Sequence, residues 1–498
     1  MTSSISQALS LLDAWTAHAV KEQHVPSAAL TVVYGGRPVW TKAFGFSDLG
    51  AKTAATPQTR YRIGSITKTF TAIAVLQLHE NGKLRLDDRV RDHVTTTAVQ
   101  ARDAGLLDVT VRELLTHSSG LQRDLPGTLW SQPAFPEQFP DQFSAIYPSG
   151  TEWKYSNVGY ALLGEVVAAA GGEPWARHVE RRILGPLGMA SSSAMPSPDQ
   201  AGLATGYSRP APGEPHVPAQ HTDHGVVSPA AGMISTIEDM GRYLAFHLGE
   251  GGGSVLGGKS LREMHRPQWL LDDWQTAWGL GVRVRRVDGR VRVGHPGYTP
   301  GFAALLEFIP ALKLGVAVLT NANDGNPAGY CDYALQLLAP IVAKETAQAA
   351  PALAEDAERY CGLYRSQNGN ITMFVAVLDG QLTLVAPSAP NPYAMRTVLE
   401  PTPETHTFIL RSSGGFGTLH FGERLTFSTG AGGEVTGYDM GSSARFIRER
   451  RVQLQALYIG VERRRGGQVP YLGVERRKES QGSYSGVERR RGQRQAAR

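Results

Sequence analysis

A serine three residues ahead of a lysine places a nucleophile and a base on one face of a helix. Ser65-Ile66-Thr67-Lys68 has that spacing, follows the polar-apolar stretch TRYRIG and opens the apolar run FTAIAVLQLHENG. A serine hydroxyl is a poor nucleophile, and an amine takes its proton only where burial or neighbouring charge lowers the ordinary lysine pKa of about 10.4. At a helix N-terminus the serine also sits at the positive end of the helix dipole, where a developing oxyanion is stabilised. Taken alone, the pattern equally describes an N-cap serine beside a surface lysine. Its rarity argues for chemistry: of the ten lysines, only Lys68 has a serine three positions before it.

Two more segments add polar groups suited to the same reaction. Tyr155-Ser156-Asn157, the one Tyr-x-Asn of the chain, lies where the Pro/Gly turn of YPSGTEWKYSN runs into the apolar helix pattern VGYALLGEVV. Side chains two residues apart on such a loop point into one cleft, so Tyr155 is expected to move a proton to the leaving group and Asn157 to hold the substrate or the lysine. Gly294-His295-Pro296-Gly297-Tyr298 ends the strand pattern RVRVG. Its glycines let a substrate lie against the strand backbone, and the Tyr298 amide joins that of Ser65 as an expected oxyanion hole.

The elements that must carry these residues form an α+β pattern. Residues 7–22 read as an amphipathic helix, and 29–45 as a hairpin about Gly35-Gly36. From about 66 to 270 the pattern is mostly helical, with Pro/Gly-rich loops at 125–150 and 209–229, and strand patterns return at 278–294 and 302–321. A sheet built from both ends of the segment around a helical middle follows. After the Ala-rich stretch 342–355, short β-type runs between about 360 and 448 read as a small barrel or sandwich. The tail repeats YxGVERR(R/K) with a period of 13 at Tyr458, Tyr471 and Tyr484. It has too few apolar residues for a core, so disorder is expected, either as an inert run or as a polybasic arm for anionic lipid or nucleic acid.

Composition excludes several classes. The 41% hydrophobic and 19% charged fractions of the 498 residues fit a soluble globular chain, and no apolar run approaches the roughly 20 residues of a membrane span. The N-terminus lacks a basic start and a small-residue cleavage site, and Cys331 and Cys361 are the only cysteines, so a cytoplasmic location is expected. The net charge of +5 divides into 15 Lys and Arg against 5 Asp and Glu over 445–498, or +10, and −5 for the rest. The basic balance therefore belongs to the tail, and no nucleic acid partner is expected for the catalytic part. Gly253–Ser260 fits the phosphate-loop pattern but follows a helix pattern where a buried strand is required. His216, His221 and His224 lie in a Pro-rich loop without the helix that would align metal ligands, and there is no HExxH or Gly-x-Ser-x-Gly. No metal or cofactor is expected.

With these motifs in order, the sequence resembles the serine β-lactamase and penicillin-binding-protein superfamily, in the branch with class C β-lactamases, D-aminopeptidases and esterases. The resemblance covers about residues 8–345 and includes VRELLTHSSGL, PLGM, PAAGMISTIEDM and WGLG. It implies a β-lactamase-like antiparallel sheet flanked by helices with a helical subdomain. It also implies an acyl-enzyme on Ser65, with Lys68 and Tyr155 catalytic and Asn157, His295, Gly297 and Tyr298 contacting substrate. The segment beginning YCGLYRS resembles the lipocalin-like domains attached to some of these hydrolases. The expected division is a hydrolase domain over 1–345, a linker over 346–358, a lipocalin-like domain over 359–449 and the tail 450–498. The implied activity is hydrolysis of an ester, an amide or a short peptide. A β-lactamase and a sensor that acylates without turnover are the alternatives, and a homo-oligomer is compatible with the sequence. Where penicillin-specialised relatives carry Lys-Thr-Gly, this chain has His295-Pro296-Gly297, which implies weak recognition of β-lactam carboxylates.

Overall fold

Gly35 and Gly36 both take positive φ, 58° and 74°, the backbone that a two-residue hairpin turn requires. They join strands Ser27–Tyr34 and Arg37–Asp48 in a computed structural model of the chain. The structure describes residues 2–94, 108–124, 144–348 and 357–449, apart from 198–199, 210, 212, 221–222, 250–254, 379, 387–395, 413–421 and 442–443. The repeat tail, linker residues 349–356, His221 and the start of the Gly253–Ser260 match lie outside the described residues.

The chain divides into two units, Met1–Ala350 and Pro351–Arg498. In the first, nine antiparallel strands form one sheet. Their spatial order is Thr53–Ala54, Arg37–Asp48, Ser27–Tyr34, Leu314–Thr320, Phe302–Ile309, Arg290–Thr299, Arg283–Val287, Thr276–Trp278 and Trp269–Leu270. Pairing of Ala28 with Thr320 through to Tyr34 with Leu314 brings the two ends of the unit together. Asp288 and Gly289, at φ 50° and 72°, make the turn between Arg283–Val287 and Arg290–Thr299. The latter strand continues through His295 and Tyr298 instead of ending at Gly294.

The period of two along Ser27–Tyr34 feeds two cores. Ala28, Leu30 and Val32 pack with Leu12 of helix α1 (Ser3–Glu22) and with Cys331 and Leu335 of helix Pro327–Gln348. Ala29 and Val33 face the other core, formed largely by α2 (Thr67–Glu80), α3 (Val111–Thr116), α4 (Asn157–Gly171) and helix Ile237–His247. Twelve of the fourteen residues of α2 are buried, so it is a core helix with no solvent face. Each fully buried Leu, Ile or Phe there contributes about 1.5–3 kcal/mol relative to exposure.

The stretch from 66 to 270 is less uniformly helical than its pattern suggests. Ile234–Thr236 pairs with Arg60–Arg62, and Tyr207–Ser208 with Val217–Pro218. All three residues of Ile234–Thr236 are buried, and two are β-branched, which suits a strand more than a helix turn.

In the second unit eight strands between Gly362 and Arg448 close into a barrel. The first strand pairs with the last, Tyr364 opposite Arg448, so no edge is left unpaired. Tyr364, Phe427, Tyr438 and Phe446 fill the interior, as the width of an eight-stranded barrel allows.

Candidate active site

Ser65 lies in a single 3₁₀ turn, Gly64–Ile66, that runs directly into α2. The turn keeps Ser65 one helical step before Lys68, so the two side chains share a face, with Nζ 3.2 Å from Oγ. Gly64 has φ +50°, and a Cβ there would lie 2.5 Å from the Tyr298 nitrogen. Opposite it, a Cβ on Gly297 would lie 2.0 Å from the Ile63 carbonyl oxygen. Two glycines therefore let the turn that carries Ser65 press against the strand backbone at Gly297 and Tyr298. The glycine at 297 makes room for protein backbone, where the sequence suggested room for substrate. The Tyr298 side chain is 44% exposed.

Lys68 is completely buried. Its Nζ donates to Asn157 Oδ1 at 2.6 Å and to the Ala230 carbonyl at 2.9 Å. The carbonyl is delivered by the short helix Ser228–Ala231, which approaches α4 closely because residue 164 is glycine: a Cβ there would stand 2.3 Å from Pro229 Cγ. Burial holds the Lys68 amine well below its ordinary pKa; Asp124 pulls it back up and Arg123 pushes it further down.

Tyr155 arrives on the loop into α4, which His117 clamps, and Asn157 is the first residue of that helix. His117 ends α3 in the left-handed conformation, φ +60°. Its carbonyl accepts from Lys154 N at 2.7 Å, and its Nδ1 accepts from Ser156 N at 3.1 Å. Because a backbone N–H occupies Nδ1, the proton of neutral His117 is on Nε2. The Tyr155 ring lies 4.3 Å from the His117 ring and 4.8 Å from Lys68 Nζ, between centroids and to centroid respectively. Burial raises the Tyr155 phenol far above its ordinary pKa, a hydrogen bond with Ser65 opposing it. Ser156 caps α4 by accepting from Gly159 N at 2.9 Å.

His295 stands on the same side, 6.3 Å from Tyr155 and 5.3 Å from Trp278 between ring centroids. It is buried, and its Nδ1 donates to the Pro296 carbonyl at 2.6 Å. Burial and the nearby Lys68 push its pKa down to about 3, so the imidazole is neutral. Ser65, Lys68, Tyr155, Asn157 and His295 are thus brought together by side chain, and Tyr298 through its backbone.

Three neighbours of the site were not singled out in the sequence. Asp124 accepts from Asn157 Nδ2 at 2.5 Å. Arg123 bonds Asp124 Oδ2 through Nε at 3.1 Å and places its guanidinium carbon 5.7 Å from the Tyr155 ring. His117 is the third. All follow VRELLT in the segment HSSGLQRD, and the feature that could have singled them out is the Gly120 turn, where a Cβ would meet the Tyr147 carbonyl at 2.0 Å.

The competing sites have no comparable geometry. Gly258–His265 is a helix whose entry is filled by the Glu80 carboxylate, which accepts from Gly257 N at 3.0 and 3.2 Å and would repel a phosphate. His216 bonds Asp324 at 2.8 Å and His224 bonds Thr299 at 3.1 Å, on separate partners. Among the described residues no group of three or more His, Cys, Asp or Glu is placed to hold a metal ion. No helix among them is long and apolar enough to cross a membrane.

Comparison with known proteins bears on family and fold. A family model described as Beta-lactamase matches residues 12–340. Penicillin-binding protein 4 of Amycolatopsis lactamdurans is 30% identical over 321 residues, which are 61% of this chain and 82% of that protein. The structure is similar to that of an octameric penicillin-binding protein homologue from Pyrococcus abyssi, with TM-score 0.57, 25% identity and coverage of 88% of this chain and 100% of that one. A class C β-lactamase shares the fold at TM-score 0.57 and 22% identity, over 66% of this chain and 96% of the other. The glycine-enabled contact between the serine turn and the sheet, the buried lysine and the matched span lead to one conclusion: the chain belongs to the β-lactamase family, within the serine β-lactamase and penicillin-binding-protein superfamily.

Proposed function

We propose that the protein is a serine hydrolase that cleaves esters or short amides through an acyl-enzyme on Ser65. The observation that carries this reading is the bonding of Lys68. A neutral amine has two N–H groups and one lone pair. Asn157 Oδ1 and the Ala230 carbonyl take the two N–H groups, and the remaining direction faces Ser65 Oγ at 3.2 Å. Lys68 is then the base that accepts the Ser65 proton as the hydroxyl attacks the carbonyl. Tyr155 keeps its proton across the working pH range and passes it to the leaving group, recovering one from Lys68. The backbone N–H groups of Ser65 and Tyr298 take the oxyanion, and water then releases the acyl group from Ser65.

His295 and Pro296 bear on the substrate class. A substrate carboxylate meets a neutral imidazole whose Nδ1–H already serves Pro296, beside a ring with no N–H. Compared with a lysine and a threonine, that loses one charge-assisted and one neutral hydrogen bond, roughly 2–4 kcal/mol. Esters and short amides without that carboxylate lose nothing. The test is kcat/KM for a short p-nitrophenyl ester and for nitrocefin on one preparation. Ester turnover after a stoichiometric burst, with nitrocefin about ten- to a thousandfold weaker, supports the reading; fast nitrocefin hydrolysis with negligible ester turnover, or a burst with no turnover, contradicts it.

A further inference from the structure

The Asn157 amide has two chemically different ends, and the reaction tolerates only one orientation. Its Oδ1 accepts from Lys68, so its Nδ2 must face away, and there it donates to Asp124 Oδ1 at 2.5 Å. A carboxylate accepts and cannot donate, so it admits only the NH₂ end of the amide. An inverted amide would place two acceptors together at Asp124 and two donors together at Lys68. We propose that Asp124 is a positioning residue for the hydrolysis, which fixes the orientation of the Asn157 amide and provides the negative charge that faces Lys68 from behind it.

Charge around the site supports a specific role for Asp124. From the loop before α4 and from α4 itself, Tyr155 and Tyr160 face Lys68, their ring centroids 4.8 and 5.3 Å from Nζ, and burial keeps both phenols protonated. From the end of α3 and from strand Arg290–Thr299, His117 and His295 are neutral, because burial and Lys68 push both imidazoles down. Among the described residues, the charges that act on Lys68 are those of the loop after Leu121: Asp124, and Arg123, which is 58% exposed and bonded to Asp124 through Nε. Asp124 is the less exposed of the two and reaches the amine through a single amide, so its field there is less screened by water. Removing that charge makes protonated Lys68 easier to deprotonate and the free amine a weaker base.

The inference rests on the serine hydrolase reading, and its test separates the two. The pH profile of kcat and kcat/KM for a p-nitrophenyl ester is measured for wild type, Asp124→Asn, Asp124→Glu, Asp124→Ala and Ser65→Ala. Rates of the proteins that keep Ser65 are expressed per site titrated with a serine-directed phosphonate, so misfolded protein is not counted, and the rate of Ser65→Ala is expressed per mole of protein with wild-type melting temperature. Asp124→Asn keeps the side-chain shape and an acceptor for Asn157, and should move the acid limb to lower pH by about one unit. Asp124→Glu, which keeps the charge, should return the limb toward its wild-type position. Asp124→Ala frees the amide to invert, so kcat should fall about tenfold or more with little change in KM. An acid limb that stays in place or rises in Asp124→Asn, or a wild-type kcat in Asp124→Ala, overturns the proposal while an inactive Ser65→Ala leaves the hydrolase reading standing. Wild-type turnover by Ser65→Ala overturns both.

Discussion

At Lys68 the balance is between burial and charge. Burial disfavours the ammonium more than Asp124 favours it, so the amine is neutral at a pH well below the ordinary lysine value. Activity should therefore rise with pH as Lys68 loses its proton, reaching a plateau below the range of a free lysine. Lys68→Arg should lose all but a trace of kcat, since a guanidinium does not give up its proton and cannot accept that of Ser65. Steady-state ester assays check both, and an arginine variant with wild-type rates would make Lys68 structural. The juxtaposition of Ser65, Lys68, Tyr155 and Asn157 was legible in the sequence because each pair is closely spaced and of types suited to the proposed chemistry. Asp124 and Arg123 were not, because their meaning comes from contact with a residue about thirty positions later. A bare Arg-Asp pair in a loop is more often solvated surface. The neutral state of His295 follows from its burial, and the Pro296 carbonyl that holds its proton is a feature of the folded strand.

Among the elements, the junction of the Gly64–Ile66 turn with strand Arg290–Thr299 controls the site most directly. A Cβ at residue 64 would meet Tyr298 N, O and C at 2.5–2.8 Å, and the positive φ adds strain for any other residue. Gly64→Ala should push the turn off the strand, lowering kcat about tenfold or more and stability by about 1–3 kcal/mol. Ester kinetics with thermal unfolding measure the two effects, and a variant with unchanged kcat would place the oxyanion contacts elsewhere. The hairpin at Gly35-Gly36 was readable because a glycine pair between strand patterns is a local signal, whereas the burial of both faces of Ser27–Tyr34 depends on helices distant in sequence. The clamp that His117 places on residues 154 and 156 was not, since a histidine ending a helix in the left-handed conformation has no periodic signature. Helical periodicity likewise gave no warning of Ile234–Thr236, a strand whose partner lies about 170 residues earlier.

For the whole molecule, several imidazoles are folded in their neutral form. His117 and His295 lie at the site, while His247 and His265 bond each other at 3.0 Å between helix Ile237–His247 and helix Gly258–His265. Burial depresses all four in the folded state. Above about pH 6.5 these imidazoles are unprotonated in both states, and their contribution to stability is full. Below it the unfolded chain takes up protons that the folded chain refuses. Stability is then lost progressively down to the folded values, about 4 for His265 and about 3 for His295. Each group contributes about 1.4 kcal/mol for each pH unit between its two values. Urea unfolding at pH 7.5 and 5 should show a lower midpoint in acid, and His265→Asn should reduce the difference; equal midpoints would contradict neutral burial. The most direct measurement of the central claim is the intact mass of wild type and Ser65→Ala after exposure to a serine-directed phosphonate. One adduct on the wild type, mapped to Ser65, with none on a Ser65→Ala protein of unchanged melting temperature, is the predicted result. Full labelling of the alanine variant would show that the nucleophile is another residue.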